Sequence, residues 1–256
     1  MSVLFNGQWL ENPQISLHSE AVLFGRGLFE SFVSLEGGRV FNLEGHLARF
    51  LPGMEALGVG RGATETQIRA WLRELLQSEA GAARRVKLLA LPEGLFLFAG
   101  PVPEYKAGPL KLVTYKGNRG LWRYKSTAYL EALLAFEAAQ QAGGDEALLT
   151  NHHGTIYEGS RSSFLWIKDG KLRSKRRGVL PGTTCSFLSE AAPLPFHWET
   201  LELDQLPEVE GALVASAGRG LAEVGEVDGV ALACSPQTAE LIHWFAQQRE
   251  ERAKTP

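Results

Sequence analysis

Three stretches carry the side chains best suited to chemistry. Tyr124-Lys125-Ser126-Thr127 offers a lysine amine just ahead of a helical pattern. Thr155-Ile156-Tyr157-Glu158-Gly159-Ser160 ends a strand pattern on an acid with glycine beside it. Gly178-Val179-Leu180-Pro181-Gly182-Thr183-Thr184 closes on a turn that opens a helix. A lysine amine becomes a carbonyl-directed nucleophile where burial or a neighbouring cation lowers its pKa. A carboxylate next to glycine can meet a planar ring closely. A helix N-terminus with threonine hydroxyls suits an anion. Arg49, one turn after His46 on another helical pattern, adds a guanidinium that matches phosphate geometry. Each piece also has a plainer reading: a solvated lysine, a turn acid, an ordinary helix cap and a surface arginine.

Other chemistries are poorly supported. No Gly-Lys-Ser/Thr follows a four-residue spacer, so the glycine-threonine turn is not a P-loop. His152 and His153 share a turn without a third ligand at suitable spacing, and no metal is expected. Ser162, Ser163 and Ser216 lack a Gly-x-Ser-x-Gly setting. The 256 residues are 45% apolar and 21% charged, ordinary for a globular chain able to bury a substantial core. A net charge of −3 gives no electrostatic case for nucleic acid or an acidic membrane. Cys185 and Cys234 form no disulfide framework, which fits a reducing, cytoplasmic setting. The first residues lack a basic run and a long apolar core, and no apolar stretch reaches the roughly 20 residues of a membrane span.

The elements that would position these groups read as α+β. Asn6-Gly7 predicts a hairpin between Val3-Leu4-Phe5 and Trp9-Leu10. Leu28 to Leu35, the turn Glu36-Gly37-Gly38 and Val40-Phe41 predict a second hairpin. Leu43 to Leu57 has helical spacing, with Pro52 marking a kink or an early stop. Thr64-Glu65-Thr66-Gln67 predicts a capped helix, and Pro92-Glu93-Gly94 a turn between strands. Breakers over residues 104–108 predict a linker between an N-terminal α+β domain, 1–103, and a C-terminal domain, 109–256. The second half opens with a strand at Leu110 to Tyr115 and a helix from Ser126 to Ala142. Short strands follow, then helices from Gly182 and from Ser235-Pro236, which together suggest a small barrel or strongly curved sheet.

In this order the pieces resemble the class-IV, fold type IV pyridoxal 5'-phosphate (PLP) enzymes. These comprise branched-chain aminotransferases, D-amino acid aminotransferases and 4-amino-4-deoxychorismate lyases. The resemblance spans nearly the whole chain. It runs through Phe24-Gly25-Arg26-Gly27-Leu28-Phe29-Glu30, His46-Leu47-Ala48-Arg49-Phe50, Asp145 to Leu149, Glu158-Gly159-Ser160, Gly178 to Thr184, and Glu226-Val227-Asp228-Gly229. It implies a two-domain fold with a barrel-like sheet, a small-molecule substrate and a homodimer. It implies that Lys125 binds the cofactor covalently and moves protons on the substrate. Glu158 would pair with the pyridine nitrogen, and Arg49, Thr183, Thr184 and Ser216 would hold the phosphate. Tyr129 falls near a ring-contacting tyrosine. The sequence departs from the family at Arg26, Ser163, Cys185 and Ser174-Lys175, which bears on substrate recognition.

The short chain and the spacing of Leu130-Glu131 after Lys125 point to the lyase, which makes 4-aminobenzoate and pyruvate for folate biosynthesis. The expected strand Val86 to Ala90 also lacks the arginine with which aminotransferases grip a substrate carboxylate, so Arg123 and Arg161 are the candidate substitutes, with Arg26 and Tyr129 as further substrate-binding candidates. The alternatives are an amino-acid aminotransferase and a non-catalytic member of the family.

Overall fold

The structure is a computed structural model, and it describes residues 2–79 and 81–256. The chain divides into two compact units. The first comprises Met1–Glu104, Tyr124–Tyr129 and Arg249–Pro256; the second comprises Tyr105–Arg123 and Leu130–Gln248. The lysine segment and the C-terminal residues Arg249–Pro256 group with the first unit.

The first unit holds β1 (Ser2–Phe5), β2 (Gln8–Glu11), α1 (Glu20–Phe24), β3 (Leu28–Ser34), α2 (Leu43–Leu57), α3 (Glu65–Ser78), β4 (Arg84–Leu91) and β5 (Gly94–Gly100). The strands form an antiparallel sheet in the order β2-β1-β5-β4-β3. Asn6 and Gly7 take φ of 47° and 82°, the left-handed pair of a two-residue hairpin turn. Helix α2 packs on β3 and α3 on β5. Leu47, Phe50, Ile68, Leu72 and Leu75 lie at helical spacing and are buried.

Pro52 does not stop α2, which continues to Leu57. The proline gives up only the bond to the carbonyl of Ala48, an exposed residue. The expected second hairpin does not form. Val40 contributes a single bridge to Ser34, while all seven residues of β3 pair with β4. Val40 instead exchanges backbone bonds with Lys254, at 2.8 and 3.0 Å.

The second unit holds β6 (Leu110–Lys116), α4 (Leu130–Gln141), β7 (Glu146–Thr150), β8 (Ile156–Gly159), β9 (Ser163–Lys168), β10 (Lys171–Ser174), α5 (Thr183–Ala191), β11 (Phe196–Trp198), β12 (Gly211–Ser216), β13 (Gly220–Val227), β14 (Val230–Ala231) and most of α6 (Pro236–Arg252). Its nine-stranded sheet runs β11-β10-β9-β12-β13-β6-β7-β8, with β14 on β13, and curls into a half-barrel. Leu112, Leu148, Ile156, Phe164, Trp166 and Val224 fill its interior. Strand β13 extends well ahead of the Glu226-Val227-Asp228-Gly229 motif.

The helix expected from Ser126 begins at Leu130. Residues 125–127 are extended instead. The Lys125 carbonyl accepts from Phe29 N–H at 2.9 Å, Thr127 N–H donates to the Gly27 carbonyl at 2.9 Å, and Ser126 bridges Leu28. Backbone groups used in that ladder cannot start a helix. No helix among the described residues is long and apolar enough to cross a membrane.

The capping box at the start of α3 is complete. Thr64 Oγ1 accepts from Gln67 N–H at 3.3 Å, and Gln67 Oε1 accepts from Thr64 N–H at 2.9 Å. Thr64→Ala therefore lowers stability by about 1 kcal/mol, read as a reduced urea midpoint with an unchanged m-value; an unchanged midpoint contradicts this account of the helix start.

Candidate active site

In the first unit, β3 turns Glu30 inward to 1% exposure, beneath α2. His46 and Arg49 are three residues apart on α2 and so share a face. Both meet that carboxylate. Arg49 Nε donates to Oε1 at 2.7 Å and its terminal nitrogen to Oε2 at 2.8 Å; His46 Nδ1 lies 2.8 Å from Oε2. Burial alone would raise the pKa of Glu30, but the charge of Arg49 and the bond to His46 outweigh it and hold the carboxyl at about 2. Burial pushes the imidazole of His46 down, against the opposing pull of Glu30. His46 is therefore neutral at neutral pH and donates to the carboxylate. Arg49 is gripped in a forked, two-bond geometry rather than swinging on its stem.

Next along β3, Phe29 is the hub of a second cluster. Lys125 Nζ lies 4.8 Å from its ring centroid and Lys87 Nζ 4.9 Å; the Tyr129 ring meets it edge-on at 5.6 Å. Lys87 projects from β4 and is half-buried, and its pKa is lowered, first by burial and then by Arg85. No acid of the described residues contacts it. Arg26 lies elsewhere in this unit, exposed. Its Nε donates to the Leu57 carbonyl at 2.9 Å, and the guanidinium pairs with Glu20.

In the second unit, Glu158 lies one residue before the end of β8 and is 3% exposed. Both its oxygens accept from Leu180 N–H at 3.2 Å, and Oε1 also accepts from Arg119 Nε at 3.1 Å. It borders a cleft of about 490 Å³, together with Trp122, Tyr157, Ser163, Leu180, Gly182 and Cys185. Gly182 caps α5 with no side chain, and a Cβ there would come within 2.4 Å of Ser163 Oγ. Thr183 and Thr184 follow it, both buried. Ser216 ends β12, its Oγ accepting from Arg219 N–H at 3.3 Å. Arg123 and Arg161 are exposed and rest on aromatic faces, Trp122 at 5.1 Å and Phe136 at 3.3 Å.

Thus Lys125, Arg49 and Tyr129 belong to the first unit, and Glu158, Thr183, Thr184 and Ser216 to the second. Sequence reasoning missed Glu30, Lys87 and Arg119. The first had a usable signal: an acid inside an apolar strand, close to a His-x-x-Arg helix face. Arg119 lies in an irregular loop that gives none.

A family model described as class-IV amino-transferase matches residues 27–227. The D-alanine aminotransferase of Staphylococcus haemolyticus is 26% identical over 98% of this chain and 99% of its own length. A branched-chain aminotransferase from Thermoproteus uzoniensis, solved with norvaline, superposes with a TM-score of 0.89 at 20% identity, covering 96% of this chain and 94% of that one. A hypothetical aminotransferase from Mycobacterium tuberculosis in a PLP-bound form superposes at 0.84 and 18% identity, covering 98% and 99%. The chain belongs to the class-IV aminotransferase family and is a PLP-dependent enzyme acting on small molecules. The donor set fits that cofactor: a lysine amine, a buried carboxylate held by amide and guanidinium, and a helix start capped by glycine.

The Glu30 cluster sets an acid limit on stability. A carboxyl whose folded pKa is about 2, against 4.5 unperturbed, contributes stability that is full above pH 4.5 and is lost as pH falls towards 2. The lowered pKa of His46 acts in the same direction below its ordinary 6.5. Glu30→Gln breaks a buried pair and costs about 3 kcal/mol at neutral pH. In urea unfolding, the gap between variant and parent narrows between pH 4.5 and about 2; a gap independent of pH contradicts the ion-pair account.

Burial also pushes the Cys185 thiol up to about 11, whereas Cys234 is exposed. Alkylation of the native protein at neutral pH should label Cys234 and spare Cys185, as read by mass spectrometry; labelling of both at similar rates contradicts the packing around α5.

Proposed function

We propose that the protein is an aminotransferase that moves the amino group of a small amino acid, D-configured or branched-chain, to a 2-keto acid. The observation that carries this reading is the Phe29 cluster, with two amines around one aromatic ring. One, Lys87, is a half-buried cation without an acidic partner among the described residues. Such a group is suited to a carboxylate arriving with the substrate.

Bound PLP supplies an electron sink for charge left at the substrate α-carbon. Lys125 would hold it through Nζ and, once displaced by the substrate amine, would accept the proton from the substrate α-carbon. Glu158 would accept a hydrogen bond from the pyridine N–H. Arg49, Thr183, Thr184 and Ser216 would hold the phosphate, and Tyr129 would contact the cofactor. Lys87 orients the substrate through its carboxylate. In this reading Arg26, Arg123 and Arg161 are peripheral, since Arg26 is committed to Leu57 and Glu20 and the other two lie exposed on aromatic faces. The exposed apolar side chains Leu17, Val22, Leu23 and Phe24 support a homodimer.

The lyase is the second reading, favoured by the spacing of Leu130-Glu131 after Lys125. Two relatives that match over 98% and 90% of the chain are aminotransferases by name, which favours amino transfer. Two assays in parallel separate the readings. The purified holoenzyme is given D-alanine or valine with 2-oxoglutarate and assayed for glutamate, and is given 4-amino-4-deoxychorismate and assayed for pyruvate. Glutamate without pyruvate release is the expected result; pyruvate release without amino transfer overturns the proposal. Lys87→Ala should raise KM for the amino acid by about ten-fold or more, the scale of a lost charged hydrogen bond, and leave PLP uptake intact.

A further inference from the structure

Glu158 is the one member of the proposed site whose work depends on staying an ionised acceptor with a fixed direction. Its own strand supplies neither condition, because a carboxylate taken out of water is costly unless charge and hydrogen bonds replace the solvent. The Leu180 amide supplies hydrogen bonds to both oxygens. Arg119 supplies the charge. Its Nε donates to Glu158 Oε1 at 3.1 Å and its terminal nitrogen to the Ser160 carbonyl at 3.2 Å. The two side chains are only 11% and 4% exposed. One planar guanidinium therefore bridges the carboxylate and the backbone two residues beyond it, so the acid cannot rotate without losing its bond to a guanidinium that is itself held in place. A lysine, with one ammonium, could match the charge but not the fork.

We infer that Arg119 is a positioning residue that fixes the direction and charge of the Glu158 carboxylate. The inference rests on the proposed pairing of Glu158 with the pyridine nitrogen. It has a sign. A cation beside the carboxylate weakens that group's hold on any proton it shares, so removing the cation strengthens the hold. The pH midpoint at which the bound cofactor's visible absorbance changes should move upward in Arg119→Gln and less in Arg119→Lys.

The test uses R119Q, R119K, E158Q and the R119Q/E158Q double variant. Each is measured for PLP dissociation constant, the pH midpoint of the bound cofactor's absorbance, kcat, KM and melting temperature. The expected result is a fall in kcat of about ten- to a hundred-fold in R119Q, the scale of a charged hydrogen bond, with KM little changed. R119K should recover part of the loss, and R119Q should add nothing further in the E158Q background. If E158Q behaves as the parent protein, the pairing itself fails and the role of Arg119 falls with it. If E158Q is impaired while R119Q matches the parent, or if the two effects multiply independently, only the role of Arg119 is overturned. Should R119Q not fold, R119K decides: a pH midpoint and kcat equal to the parent's overturn the inference, and intermediate values uphold it.

Discussion

A carboxylate buried away from water must be given charge and donors by the protein, and two such groups organise this molecule. Glu30 is nearly solvent-free and receives Arg49 through two bonds and His46 through a third. That demand fixes the pitch of α2 against β3, because His46 and Arg49 must reach one carboxylate from one helix face. Glu158 is buried to a similar degree and receives Leu180 and Arg119. That demand fixes the course of two irregular segments, 117–123 and 178–182, whose own sequences specify no regular structure. In both cases the acid is placed by a strand, and loops or helices bring the counter-charge to it.

The same economy explains how an irregular stretch can hold Lys125 in a fixed place. Residues 125–127 are extended and tied to Gly27 and Phe29 by backbone bonds, which places Nζ by main-chain geometry rather than by a flexible helix end. Phe29 then serves Lys125, Lys87 and Tyr129 at once. An aromatic face is a favourable neighbour for an ammonium without being a base that would compete for its proton.

Much of this was legible in the sequence, and the failures have physical causes. Asn6-Gly7 was readable as a hairpin turn because few dipeptides tolerate two left-handed residues, and it adopts them. The Thr64 box and the start of α5 were readable because helix ends need particular local donors and acceptors. Ser126 to Tyr129 was misread as helix because the pattern there is locally helical, while the bonds to Gly27 and Phe29 that override it come from about a hundred residues away. Val40 was misread for the same reason, its partner being Lys254. Glu30, Lys87 and Arg119 escaped notice because their meaning lies in what they touch. A lysine in a strand or an arginine in a loop looks solvated until its neighbours are known.

The central claim is that Lys125, and no other lysine, carries the cofactor. Lys87 is the natural control, since it lies as close to Phe29 and burial lowers its pKa. Borohydride reduction of the holoenzyme fixes a lysine-bound cofactor permanently, and peptide mass spectrometry then locates it. The account predicts the added mass on the peptide containing Lys125 at close to one per chain. Modification at Lys87 or another lysine, or none at all in protein saturated with PLP, would contradict it.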